Sequence, residues 1–332
     1  MDRLKISTPN EILSLVNERS GELKIGQKVK FTHSLSDLQK SDAKFVLLGI
    51  PEDIGVRANL GIGGTQTAWL PALKAIVNLQ SNPFFSGEEL LILGGLEIDE
   101  PMDTSLTGLR NKVRSIDNLV YPIIEQIIAT NKIPIVIGGG HNNALGLIWG
   151  AALAHKQKMN VINIDAHADL RKAEGRHSGN GFTYALENGY LGQYSIFGLQ
   201  QSYVHADLPN YIQSNPNIRA FYYEDLVTSE QSILKNWMSF TKEIPEPCGL
   251  EIDLDSLANV LSSASSPSGF SLSDIRSIVL SGNKNFRYLH LCEGAVKLAD
   301  GRQDLTTAKT IALLVSDFIK ALRPHISQQP SS

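Results

Sequence analysis

Cysteine is nearly absent: 332 residues hold only Cys248 and Cys292, with no CxxC spacing. That excludes a disulfide framework, and the two thiols read as ordinary core residues. Long apolar runs are missing too, all being interrupted well before the ~18 residues that cross a bilayer. The N-terminal stretch MDRLKISTPNEILSLVNERS is amphipathic and acidic in places, without the apolar centre of a signal peptide. Net positive charge is lacking as well. Thirty basic residues face 34 acidic ones, a formal charge of −4, which excludes the basic footprint of a nucleic-acid binder. These absences lead us to expect a cytoplasmic protein with neither nucleic acid nor membrane as partner.

An apolar content of 42% against 19% charged is that of a globular chain with a substantial core. Strands are expected at Lys44–Ile50, Leu90–Gly94, Ile133–Ile137, Val161–Asp165, Tyr194–Phe197, Ile218–Tyr222, Gly249–Leu254 and Phe286–Cys292. Helices are expected between them: apolar residues at Leu109, Val113, Ile116, Val120, Ile124 and Ile127 recur three or four apart. Further helices are expected at Ala144–Ala154, Ser271–Ser281 and Thr306–Leu322. Such alternation predicts an α/β fold with a mainly parallel sheet between helical layers. The division expected is a helical extension over 1–40, one domain over 41–326 and a flexible tail over 327–332. Ser262 to Ser268 reads as an exposed loop.

Chemistry concentrates at strand ends, where open α/β sheets gather functional groups. Asp165, His167 and Asp169 alternate in DAHAD after an apolar run, which on an extended backbone would share one face. Neighbouring carboxylates are costly to desolvate without a cation. A mixed oxygen and imidazole donor set suits Mn, Fe(II), Zn or Ni better than Ca or Mg. GGGH at 138–141 ends another strand in His141; taken alone, this histidine fits a helix start as well as a ligand. Its glycines lack the GxxxxGK[ST] pattern of a phosphate loop. EIDLD at 251–255 supplies Asp253 and Asp255, and Glu293 follows the Phe286 strand. Jointly, His141, Asp165, His167, Asp169, Asp253 and Asp255 make six candidate ligands.

With GGGH, DAHAD, DLD and CEG in this order, the chain resembles the ureohydrolase family of arginase, agmatinase and formimidoylglutamase. The resemblance implies a three-layer α/β/α fold and two Mn2+ ions. One would be held by His141, Asp165, Asp169 and Asp253; the other by Asp165, His167, Asp253 and Asp255. It is most like the formimidoylglutamase branch, through GGGH, PEDIGVRANLGIGG at 51–64 and HSGNGF at 177–182. That branch implies hydrolysis of N-formimidoyl-L-glutamate to L-glutamate and formamide, in histidine degradation. Asp169 would carry the proton, Glu293 would orient the amidinium and His177 would relay protons to solvent. Arg171 and Asn180 would contact the substrate, a guanidinium suiting a dianion. The alternatives are a ureohydrolase releasing urea from a guanidino compound and, in another class, a non-catalytic metal-binding member. Relatives imply a homo-oligomer. The chain departs from the family pattern at Asn142 and Asn143 after His141, at Glu251 where serine is usual, and at Ala258-Asn259. Arg57 and Asn59 are open between a structural loop and a substrate clamp.

Overall fold

A computed structural model of the chain describes residues 2–327. Nine strands form one sheet: β1 Arg3–Ile6, β2 Phe45–Gly49, β3 Leu90–Glu97, β4 Ile133–Ile137, β5 Met159–Ile164, β6 Leu191–Leu199, β7 Ile218–Tyr222, β8 Cys248–Asp253 and β9 Phe286–Cys292. Their order is β1-β3-β2-β4-β9-β8-β5-β6-β7. Every neighbouring pair is parallel except β1 with β3.

The central strands are buried on both faces, as a parallel sheet under two helical layers requires. Residues of one parity (Phe45, Leu47, Ile135, Ile137, Leu250, Ile252, Leu289, Leu291) meet the helices Trp69–Val77, Leu272–Leu280 and Thr306–Ser327. The other parity (Val46, Leu48, Val136, Val161, Ile196) meets Leu106–Ala129 and Ala144–His155. The first of these begins where Ser105 Oγ accepts the Gly108 N–H at 3.1 Å. The second is apolar nearly all round because it lies between its neighbour and the sheet. Gly150 sets how closely these helices approach: a Cβ there would lie 2.3 Å from the Tyr121 carbonyl oxygen.

Every expected strand is present, most within a residue or two of the expected ends. The expected 1–40 helical extension is corrected. Its first element is β1, an edge strand of the same sheet, followed by a five-residue α-helix, Pro9–Leu13, and two short 3-10 helices, Ile25–Gln27 and Leu35–Lys40. Ile12, Ile25 and Leu38 are buried in the two cores, so the segment is part of the folded body. An alternation of only four residues, Arg3 to Ile6, carries too little signal to be read as a strand. Of the tail expected at 327–332, Ser327 ends the last helix and 328–332 lie outside the described residues. Among the described residues, no helix is long and apolar enough to cross a membrane.

Chain order explains where the site lies. β2, β3 and β4 build one half of the sheet and β5, β6 and β7 the other, and β8 and β9 later fill the gap. The ends of β4, β9, β8 and β5 therefore stand side by side, and the candidate ligands follow three of them.

A buried ion pair ties the loops above those ends. Arg176, 2% exposed, donates to both carboxylate oxygens of Asp117 at 2.8 and 3.1 Å, to the Asn142 carbonyl at 2.7 Å and to Asn180 Oδ1 at 2.7 Å. Arg176→Met leaves the Asp117 charge buried without its partner, so we expect a loss of about 3–5 kcal/mol in chemical denaturation. A loss under ~1 kcal/mol would mean that the pair is not a brace.

Candidate metal centre

His141 enters the site on a short 3-10 turn, His141–Asn143, directly after the Gly138–Gly140 bend. Glu52, fully buried, shapes that bend. Its Oε1 accepts from the Gly140 N–H at 3.0 Å, Asn143 Nδ2 at 2.8 Å and Asn142 Nδ2 at 3.2 Å, and its Oε2 accepts from the Gly55 N–H at 3.0 Å. Asn142 and Asn143, the departures noted after His141, thus hold the loop rather than face the cleft.

The aspartates converge on the ring. His141 Nδ1 is 2.9 Å from Asp169, 3.1 Å from Asp253 and 3.3 Å from Asp165. His167 Nδ1 is 3.1 Å from Asp255 and 3.7 Å from Asp165. The donor atoms fall into two groups, each within 4.8 Å: His141, Asp165, Asp169 and Asp253 in one, Asp165, His167 and Asp255 in the other. Asp165 is common to both. Asp253 belongs to the first alone, its Oδ1 accepting the Asp255 N–H at 2.8 Å.

DAHAD does not use strand alternation to bring its side chains together. β5 stops at Ile164 and residues 165–169 are a loop. Asp165 Oδ1 accepts the His167 N–H at 2.7 Å, and Asp169 lies on left-handed backbone with φ 51°. Glu293 is also left-handed, φ 59°, and its Oε1 accepts the His141 N–H at 2.8 Å. Two non-glycine residues in that strained region beside one cluster mark a functional site.

The electrostatics are those of a site short of positive charge. Among the described residues, the ion-pair partners of Asp165, Asp169, Asp253 and Asp255 are the two imidazoles alone. Burial, then the neighbouring Asp255 and Asp165 charges, holds Asp253 well above the usual carboxylate range. Burial also pushes Glu293 up to about 8, with Asp255 and Asp169 adding to it. Burial alone would depress His167, but Asp255 and Asp165 drive it up to about 12. His141 Nδ1 and Asp255 Oδ1 are buried without a hydrogen-bond partner. Orphaned donor atoms and crowded carboxylates fit a pair of divalent cations, and oxygen with imidazole suits Mn2+ among other first-row ions.

A cleft of about 810 Å3 opens onto the cluster, lined among others by His167, Asp169, Arg171, Asp253, Asp255 and Glu293. Tyr203 stacks on the His167 ring at 4.8 Å. Arg171 is exposed on the wall, and among the described residues its guanidinium has no ion pair or hydrogen bond. Arg57 is taken up by Asp53 and Glu100, which makes it a loop brace. Asn59 lines the cleft, its Nδ2 donating to Ser178 Oγ at 3.3 Å. The 262–268 stretch is not simply exposed: Ser262 and Ser266 are buried, and Ser263 and Ala264 form cleft wall.

Two expected contacts lie elsewhere. Asn180 is buried and outside the cleft lining. Its Nδ2 donates to the Lys172 and Gly175 carbonyls and its Oδ1 accepts from Arg176 and the His177 N–H, so its polar atoms serve the loop. His177 is likewise fully buried and outside the cleft lining, its Nδ1 accepting the Gly179 N–H at 3.2 Å and its Nε2 lying 3.5 Å from Oε1 of Glu174, a half-exposed residue of the cleft wall. Sequence reasoning missed Glu52, Arg176, Tyr203, Tyr288 and His290. Each acts across distant segments, and no local spacing signals it.

The sequence profile of the Arginase family matches residues 43–318, and the chain belongs to that family. Formimidoylglutamase of Geobacillus sp. (strain WCH70) is 34% identical over 181 residues, 53% of this chain and 52% of that relative, so the match spans about half of its length. The crystal structure of Trypanosoma cruzi formiminoglutamase with Mn2+ superposes with a TM-score of 0.72 at 18% identity, over 93% of this chain and 100% of the other. A hypothetical agmatinase from Burkholderia thailandensis gives 0.73 at 17% identity, over 94% of each. The fold is shared across these proteins and does not select among their substrates.

Burial, then the Arg110 guanidinium, pushes His177 down to about 4. A folded pKa below the unfolded value of about 6.5 means neutral His177 stabilises the fold above that pH, and the contribution is lost as pH falls toward 4. His177→Asn, which keeps an acceptor for Gly179, is expected to lose less stability than the wild type between those pH values in melting curves of the metal-free protein. Parallel curves would contradict this.

Proposed function

We propose that this protein is a binuclear-metal hydrolase of a linear amidine, acting on N-formimidoyl-L-glutamate to yield L-glutamate and formamide. The observation that carries the reading is the Arg171 guanidinium, without a partner among the described residues, on the wall of a cleft whose floor is a cation-deficient aspartate and imidazole cluster. The similarity to formimidoylglutamase from Geobacillus supports the same substrate.

His141, Asp165, Asp169 and Asp253 would hold one ion and Asp165, His167 and Asp255 the other. Two Mn2+ ions bound there would supply a water acidic enough to act as a nucleophile near neutral pH. The protein's own groups do the rest. Glu293 uses Oε1 to hold the His141 backbone, leaving Oε2 to accept N–H bonds from the amidinium and orient its planar carbon. Asp169, partly open to the cleft, would pass a proton to the leaving amine nitrogen, without which glutamate is a poor leaving group. Arg171 pairs with a substrate carboxylate in a bidentate, charge-assisted contact. Tyr203 covers one face of the His167 ring by stacking.

The deciding assay offers the Mn-loaded protein N-formimidoyl-L-glutamate, arginine, agmatine and guanidinobutyrate in parallel. Formamide and glutamate from the first alone are expected; urea from any of the others would make the protein a guanidino ureohydrolase. Turnover of none, with metal bound, would indicate a non-catalytic member. Arg171→Met removes a charged hydrogen bond of about 1.5–3 kcal/mol, so KM should rise about 10- to 100-fold with kcat changed far less. Because Asp165 is common to both donor groups, Asp165→Ala should lower the metal content of purified protein at both positions. Full metal content in that variant would refute the assignment.

A further inference from the structure

The His141 ring has a second edge that the aspartates do not use. Its Nε2 is buried and makes no hydrogen bond, and the group that faces it is Glu251, with Oε2 at 3.6 Å. Glu251 is itself held from two sides. It is the cross-strand partner of His290 across β8 and β9, with Oε2 at 2.5 Å from His290 Nδ1, and its Oε1 accepts the Tyr288 hydroxyl at 2.8 Å. All three side chains are fully buried.

Strand alternation builds this arrangement. Tyr288, His290 and Cys292 share one face of β9; Gly249, Glu251 and Asp253 share the matching face of β8. At the lowest rung a Cβ on residue 249 would lie 2.2 Å from the Tyr288 ring, so glycine makes the room in which Tyr288 reaches Glu251. At the top rung stands Asp253, one of the residues around His141 Nδ1. A buried carboxylate with two polar partners is a poor stabiliser compared with apolar side chains of the same volume. Its placement behind one imidazole calls for another reason.

We propose that Glu251, braced by Tyr288 and His290, is a positioning residue for the metal centre. It holds the Nε2 edge of His141 so that Nδ1 presents its lone pair to the space enclosed by Asp165, Asp169 and Asp253. A neutral imidazole has one N–H and one lone pair, and a carboxylate beyond one nitrogen fixes the hydrogen there. The proposal rests on the metal-centre reading above. It concerns Glu251, a residue at which this chain departs from the serine usual in the family pattern.

The test measures Mn2+ binding to the full-length protein, by titration calorimetry and by electron paramagnetic resonance of the bound ions, without substrate. Wild type, Glu251→Gln and Tyr288→Phe are compared, with melting curves of each metal-free protein. We expect Glu251→Gln to bind Mn2+ about 10- to 100-fold more weakly, with an altered resonance spectrum and a melting temperature close to wild type. Tyr288→Phe should show a smaller loss in the same direction. Wild-type affinity and spectrum in Glu251→Gln would overturn the positioning role while leaving the metal centre intact. No Mn2+ binding by the wild type would overturn both. If Glu251→Gln fails to fold, Tyr288→Phe decides: weakened binding in that folded variant supports the role, and unchanged binding rejects it.

Discussion

Mutual repulsion among buried carboxylates is the constraint on which the rest of this structure turns. Asp165, Asp169, Asp253 and Asp255 meet around two imidazoles, with Glu293 alongside and, among the described residues, no lysine or arginine in ion-pair range of the four aspartates. Left to themselves such groups would separate or take up protons. They stay together because the surrounding backbone cannot let them move apart, and that rigidity pre-forms the site for cations.

The rigidity has identifiable sources. Late insertion of β8 and β9 between β4 and β5 brings ligand-bearing strand ends into adjacent positions. Each loop is then fastened by a buried charged group: Glu52 gathers the turn before His141, Arg176 joins that turn to the helix Leu106–Ala129 and to the segment after DAHAD, and Glu251 stands behind His141. None of these braces lines the cleft. Such groups are costly to bury, and they are satisfied here by several partners each, which is the condition under which buried charge gives a unique geometry. The binding surface above, with Arg171, Tyr203, Ser263 and Ala264, is by contrast made of loops.

Legibility of the fold followed the strength of the local signal. Leu109 to Ile127 repeats at helical spacing over several turns, and the helix runs Leu106–Ala129. Helices of five to seven residues, such as Ile54–Ala58 and Gly181–Glu187, offer two turns at most and are not legible, whereas the nine-residue Leu272–Leu280 falls where a helix is expected. Near the site the same limit shows differently. Asp165, His167, Asp169, Asp253 and Asp255 were visible as a clustered composition, but the reason they converge was not. An alternating pattern suggested a shared strand face, whereas the aspartates of DAHAD are gathered by a loop with left-handed backbone at Asp169. Asn180 and His177, conspicuous beside the motif, turned out to hold that loop together.

By itself the sequence determined the layered α/β architecture, the central strands and the identity of the donor atoms. These depend on periodicity and side-chain chemistry, which are local. Tertiary structure alone decided that β1 joins the sheet edge, that Asp253 groups with His141 and not with His167, and that, among the described residues, the Arg171 guanidinium lines the cleft without a partner while Arg57 is held by Asp53 and Glu100. It also decided that Glu251 meets Tyr288, His290 and His141. Those facts are distances between residues tens to hundreds of positions apart, and only the packed chain sets them.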